Sequence, residues 1–262
     1  MRIPRLLHLV TYGAPAWVAV CFFAATRLLH LVSDDMRVTV IWACFAAAVV
    51  GAAIAAFLLA ARFATRFDAA RIALAPALLT AAGYGAFIGA EGRIARIAVF
   101  AVTVGLQGAH AAYVAGVAGV GARYARPELR HVALSVRALT AFFAFGVAFD
   151  IPTYASYYPV PLALAVGALC ALLAWETLHD EAFSAKPSPM IAAAFGALGA
   201  EFHAGLSVLP LTPYTSAALG AVVFVSGLTT TVLALRGAAP PRRNFAIAAA
   251  LIVLILATAR WY

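Results

Sequence analysis

The feature that most constrains this chain is its series of long, almost uncharged apolar runs. Several of them reach the roughly 17–25 residues that an α-helix needs to cross the hydrocarbon core of a bilayer. Overall 65% of the residues are hydrophobic and only 11% are charged, whereas soluble domains average about 45–50% and about 25%. A soluble fold of this length could not cover so much apolar surface, so the sequence predicts an integral membrane protein.

Charged residues, glycines and prolines divide the chain into nine predicted helices. After a first helix near the N-terminus, the other eight cover about 38–60, 73–90, 97–121, 132–149, 161–178, 189–209, 214–235 and 245–260. We therefore expect one integral membrane domain over residues 1–262, an all-α polytopic bundle of about nine transmembrane helices. The alternative count is eight, if helix 3 or helix 9 does not span.

A repeated hexamer brackets the first predicted helix. The sequence Arg-Leu-Leu-His-Leu-Val begins at Arg5 and again at Arg27. His8 and Arg27 are 19 residues apart, which is roughly 28 Å of helix and close to the thickness of the hydrocarbon core. The spacing predicts that the two copies lie at opposite membrane surfaces.

The distribution of basic residues predicts the orientation. The formal charge of +8 resides mostly in short loops, where it indicates topology and contact with anionic lipid headgroups rather than nucleic-acid binding. Four basic residues fall in the predicted outer segments: Arg37, Arg93, Arg96 and Arg260. Twelve fall in the predicted inner segments: Arg2, Arg5, Arg62, Arg66, Arg71, Arg123, Arg126, Arg130, Lys186, Arg236, Arg242 and Arg243. The asymmetry predicts an inside N-terminus and an outside C-terminus, in a bacterial cytoplasmic (inner) membrane.

Few polar or ionisable residues fall inside the predicted spans, and such residues are candidates for function. They are Gln107 and His110 on helix 4, Arg137 on helix 5, and Glu201 and His203 on helix 7. Glu201 lies about midway along its helix, so its carboxyl must be neutral, paired or wet. We expect it to face the bundle interior, with His203, His110 or Arg137 as partner. The same five residues could instead be structural contacts between helices.

Cofactor and metal chemistry have weaker support. His110 and His203 could ligate a haem or a pigment metal if they lie at equal depth on facing helices, and a hydrogen-bonded structural histidine is the alternative. Glu176-x-x-His179 resembles half of a di-iron motif, but it occurs once, and we interpret it as a solvated helix end. We predict no metal site. The spacing of Gly196, Ala200 and Ala204 predicts a close approach of a neighbouring helix.

Three functional hypotheses follow. The chain is a non-enzymatic membrane subunit or scaffold of a larger assembly, with a membrane-protein partner or a second copy of itself. Alternatively it is a small-molecule or ion permease that uses Glu201 and His203, or an intramembrane enzyme acting on a lipid or isoprenoid. No nucleotide-binding, serine-hydrolase or zinc-protease motif is present, so the sequence favours a protein that is not an enzyme.

Overall fold

The fold is all-helical in a computed structural model that describes residues 3–28, 31–61, 64–120, 127–154, 159–180, 188–238 and 242–259. Nine α-helices occupy these residues: α1 Ile3–Leu28, α2 Asp34–Ala60, α3 Arg66–Gly89, α4 Arg93–Val120, α5 Pro127–Tyr154, α6 Pro159–Asp180, α7 Ser188–Ser207, α8 Pro213–Leu235 and α9 Arg242–Thr258. Each predicted helix is therefore present in the described part of the chain.

Within the described ranges, six helical segments are long and apolar enough to cross a membrane, which is consistent with an integral membrane protein. They are Asp35–Ala60, Arg66–Gly89, Arg93–Ala115, Val160–His179, Pro189–Ser207 and Pro213–Leu235. Helix 3 is thus long enough to span, whereas α9 has only 17 residues. The orientation and the exact number of spans remain predictions, and several residues behind them, including Arg123, Arg126 and Lys186, lie outside the described residues.

Most helices begin a few residues earlier than the sequence predicts, and in α3 and α8 the first turn is capped by a threonine side chain. The clearest case is α3, which we predicted over 73–90 and which begins at Arg66. Thr65 is its N-cap, and the Thr65 hydroxyl accepts a hydrogen bond from the Asp68 amide at 3.2 Å. Side-chain capping of this kind satisfies a free backbone donor. Consequently Pro76 lies inside the helix and not in its first turn, where we had predicted it.

Helix α1 contains both His8 and Arg27. A continuous helix places them roughly 28 Å apart along its axis, as the repeated hexamer requires. His30, in the second copy, lies outside the described residues. Whether the two ends reach opposite membrane surfaces stays a prediction.

The chain divides into two compact units, residues 1–140 and 141–262, with the boundary inside α5. In unit 1, an aromatic cluster joins α1, α3 and α4. The Phe22 ring lies 5.1 Å from the Tyr84 ring, 5.0 Å from Phe87 and 6.0 Å from Phe100. The Tyr84 hydroxyl donates to the carbonyl oxygen of Ile41 at 3.1 Å, which ties α3 to α2. The division leaves the expectation of a single membrane domain untested.

In unit 2, α6 and α7 pack backbone to backbone. A methyl group added at Gly167 would lie 2.7 Å from the carbonyl oxygen of Gly196 and 3.0 Å from the Cβ atom of Ala200. One added at Gly199 would lie 2.7 Å from the Cys170 sulfur. The close approach predicted for α7 is therefore confirmed at Gly196 and Ala200, whereas Ala204 is exposed.

Candidate functional site

The five candidate residues fall in both units. Gln107, His110 and Arg137 belong to unit 1, whereas Glu201 and His203 belong to unit 2. Four of the five are buried, with exposed fractions of 2% for Gln107, 5% for His110, 6% for Arg137 and 4% for His203. Glu201 is exposed.

Gln107 is a contact between helices α3 and α4. Its side-chain amide donates to the carbonyl oxygen of Pro76 at 2.6 Å and to the hydroxyl of Thr80. Thr80 in turn donates to the same Pro76 carbonyl at 2.7 Å. One turn earlier on α4, Thr103 is fully buried and faces Gly83 of α3. Gln107 is thus fully used as a donor in a buried polar seam, which is the structural role that the sequence left open.

His110 follows Gln107 by one helical turn and is also buried. Its ring centroid lies 6.3 Å from that of Tyr113. Arg137 is also buried, on α5. The pairing of Arg137 with Glu201 remains a prediction.

His203 packs against an aromatic ring within unit 2. The ring centroids of His203 and Phe149 lie 4.4 Å apart at an interplanar angle of 41°. The Nδ1 atom of His203 is buried and has no hydrogen-bond partner among the described residues. An unprotonated imidazole nitrogen in this position could accept a hydrogen bond or ligate a metal. The predicted haem or pigment held by His110 and His203 stays a prediction.

Glu201 lies on the outside of α7, contrary to our expectation that it faces the interior. Two residues turn an α-helix by about 200°, so Glu201 and His203 project to nearly opposite sides. Gly196 and Ala200 face α6, and Phe202 faces a cavity beside α8, which leaves Glu201 on the remaining face. Within unit 2 no described side chain forms a hydrogen bond or an ion pair with it.

The motif Glu176-x-x-His179 is less solvated than predicted. It lies at the C-terminal end of α6, where Glu176 is 3% exposed, and the next residue, Thr177, is 5% exposed. The prediction of a solvated helix end is therefore wrong for Glu176, because α6 remains packed to its last turn. Among the described residues, no group of three or more His, Cys, Asp or Glu side chains could hold a metal ion.

Sequence reasoning missed an apolar cavity of about 580 Å³ in unit 2. Helices α7 and α8 form most of its walls, Phe145 of α5 lies at one end, and Phe245 of α9 also contacts it. The hydroxyl residues Ser226, Thr230 and Thr231 line the α8 side. The available signal was the spacing of Ser226 and Thr230, which puts two hydroxyls on one face of an apolar helix.

No protein-family model, no characterised protein and no solved structure matches this chain. The fold and the polar residues therefore define only a class. The described residues form a helical bundle in which six helices are long and apolar enough to span a membrane, which is consistent with an integral membrane protein.

Proposed function

We propose that this chain is a non-enzymatic, membrane-embedded subunit that binds a partner membrane protein through the outer face of α7. That face comprises Ala193, Ala197, Glu201, Ala204 and Gly205, all of which are exposed. We place the assembly in the bacterial cytoplasmic membrane, which the predicted orientation favours.

The observation that carries the proposal is the exposure of Glu201 on an apolar helix. Glu201 lies six residues before the last residue of α7, or about 9 Å along the axis. An acidic side chain at the centre of a spanning helix costs about 2.5–3.5 kcal/mol of insertion free energy. Glu201 lies some distance from the centre of α7, which reduces this cost only in part. A partner that supplies a hydrogen bond would offset that cost.

The rest of the outer face suits a close helix contact. Ala193, Ala197, Ala204 and Gly205 are small, and small residues let two backbones approach in a membrane, where packing drives association. A methyl group added at Gly205 would meet nothing within 4 Å, so this face has open space. The contact between α6 and α7 uses small residues in the same way.

The chemistry of the face favours a partner of different sequence over a second copy. A two-fold symmetric contact would set Glu201 against itself or against a neighbour on the same face. This face carries no basic or amide group, so two copies could pair their carboxyl groups only after protonation. We therefore propose a partner helix with a basic or amide side chain at the depth of Glu201.

The permease hypothesis gains less support. It requires Glu201 and His203 to line one path, but the two side chains project to opposite sides of α7, and His203 is packed against Phe149. The enzyme hypothesis has no catalytic motif or described metal cluster in its favour. The subunit hypothesis is favoured because it explains why a carboxyl group is exposed on an apolar helix.

Co-purification from native membranes in mild detergent tests the proposal. We expect Glu201→Leu and Ala197→Leu to reduce the stoichiometry of a partner that the wild type retains. Loss of one hydrogen bond of about 0.6–1.7 kcal/mol weakens association roughly three- to twentyfold. Glu201→Gln should weaken it less, because the amide still forms hydrogen bonds.

The matched control is Ala168→Leu, which makes the same change at an exposed position of α6 and should leave the partner bound. Equal partner recovery from wild type, Glu201→Leu and Ala197→Leu would refute the proposal. If the wild type purifies as a homo-oligomer and Glu201→Leu dissociates it, the partner is a second copy of this chain and not a different protein.

A further inference from the structure

We propose that the cavity of unit 2 binds one acyl chain of an anionic phospholipid, with the lipid phosphate at the arginines that begin α9. The inference does not depend on the proposed subunit function, because it concerns a different face of α7. It rests on the length of the cavity, its lining, its opening and the charges at one of its ends.

The length of the cavity matches one leaflet of a bilayer. On α7 the lining residues extend from Ile191 to Phe202, and on α8 from Gly220 to Thr231. Each set covers 11 residue steps, or about 16 Å of helix. Half of a hydrocarbon core of about 30 Å is about 15 Å, so the cavity suits a chain from a single leaflet.

The walls and the opening suit a hydrocarbon chain. Leu198, Val223 and Phe245 line the cavity and are 60%, 39% and 54% exposed, so the cavity opens along its side at the surface of unit 2. Two glycines in its lining let aromatic rings of the wall pack against the α8 backbone. A methyl group at Gly220 would lie 2.9 Å from the Phe145 ring, and one at Gly227 would lie 3.4 Å from Phe195.

Two hydroxyl groups in the cavity are available to a ligand. Several threonines of the described helices donate their hydroxyl hydrogen bond to the backbone carbonyl four residues earlier, as Thr80 does. Thr231 in the cavity lining does the same, at 2.9 Å from the Gly227 oxygen. Ser226 and Thr230 form no such bond within the described residues. Their hydroxyls lie on one face of α8, one turn apart, where an ester carbonyl could accept from them.

Positive charge lies beyond the end of the cavity that Thr230 lines, whereas Ser226 lies midway along the α8 wall. Thr230 precedes the end of α8 at Leu235, and α9 begins with Arg242 and Arg243, both exposed. Phe245, two residues after Arg243, lines the cavity. Arg236 follows Thr230 by six residues, about 9 Å, comparable to the roughly 5–8 Å thickness of the interfacial layer. The arrangement places a phosphate at the arginines and an ester carbonyl near Thr230.

Photo-crosslinking in phosphatidylcholine nanodiscs tests the proposal on the full chain. The probe is phosphatidylglycerol with a photoactivatable group at the end of one acyl chain, compared with phosphatidylcholine that carries the same chain. We expect the anionic probe to label peptides of α7 and α8 in preference to the neutral one. Arg242→Gln and Arg243→Gln should each reduce this labelling about fivefold.

Variants of the cavity lining test whether the acyl chain occupies the cavity and whether Thr230 contacts the ester carbonyl. Ala194→Phe, which fills the opening, should reduce labelling by the anionic probe to background, and Thr230→Val should reduce it severalfold. The controls are Ala165→Phe, an exposed position of α6, and Thr229→Val, a neighbouring hydroxyl outside the cavity lining; neither should change the labelling. If Ala194→Phe does not yield a monodisperse protein, Leu198→Trp replaces it.

Two results would overturn the proposal. Equal labelling by the anionic and neutral probes would show that the arginines do not recognise the anionic headgroup. Labelling of α7 and α8 that survives Ala194→Phe, or Leu198→Trp where that variant replaces it, would show that the acyl chain does not occupy the cavity.

Discussion

The contact between α6 and α7 gives the sharpest test of the structure. Replacing Gly167 with alanine adds one methyl group, 2.7 Å from the Gly196 carbonyl oxygen and 3.0 Å from the Ala200 Cβ atom. Both distances are shorter than an ordinary contact between carbon and a heavy atom, which is about 3.5–4.0 Å. The two helices must therefore move apart by several tenths of an ångström.

Two opposing effects set the magnitude. Glycine in a helix is less favourable than alanine by about 0.5–1 kcal/mol. This backbone effect alone would raise the unfolding free energy of Gly167→Ala by that amount. Overpacking of a tight contact costs about 1–3 kcal/mol. The net result is a loss of roughly 0–2.5 kcal/mol of unfolding free energy, with about 1 kcal/mol as the central expectation. Gly167→Leu cannot be accommodated by a small shift and should abolish the contact.

The matched control is Gly205→Ala on α7, where an added methyl group meets nothing within 4 Å. Gly205→Ala should raise the unfolding free energy by up to about 0.5–1 kcal/mol. The same substitution is therefore expected to stabilise the protein at Gly205 and to destabilise it at Gly167. The assay is unfolding of the purified protein from mixed micelles by increasing SDS, followed by circular dichroism. Equal stabilisation by Gly167→Ala and Gly205→Ala would refute the close packing of α6 on α7.

Two further predictions concern unit 1 and the orientation. Gln107→Leu should lower the unfolding free energy by about 1 kcal/mol, because it removes the amide donor to Thr80 and to α3; an unchanged SDS midpoint would contradict the polar seam. Reporter fusions after Arg66 and after Pro241 should read cytoplasmic, and one after Tyr157 should read external, because of the asymmetry in basic residues. A cytoplasmic signal at Tyr157 would reverse the predicted orientation.

The sequence indicated which polar residues lie within apolar helices, but not which of them face the interior. Gln107, His110, Arg137 and His203 are polar residues in apolar runs, and the structure buries all four. The same argument placed Glu201 inside, and it is exposed. Glu176 was assigned to a solvated end, and it is buried. The cavity was not anticipated, because a cavity is the gap between helices and no single segment encodes it.

The sequence alone determined the nine helices found in the described residues and their approximate positions. Apolar runs of the length of a membrane span, divided by charges and prolines, define nine segments because an isolated spanning segment must satisfy its own backbone hydrogen bonds. The sequence also located a close contact on α7, since Gly196 and Ala200 recur at the spacing of one helical turn.

Only the tertiary structure decided which way each helix faces. A soluble helix reveals its buried side by an apolar stripe opposite a polar one, but a helix such as α7 is apolar almost all round. Its rotation is set by where another helix fits against it, here Gly167 against Gly196 and Ala200. That contact turns His203 inward and Glu201 outward, and it leaves the opposite flank of α7 to form the cavity with α8.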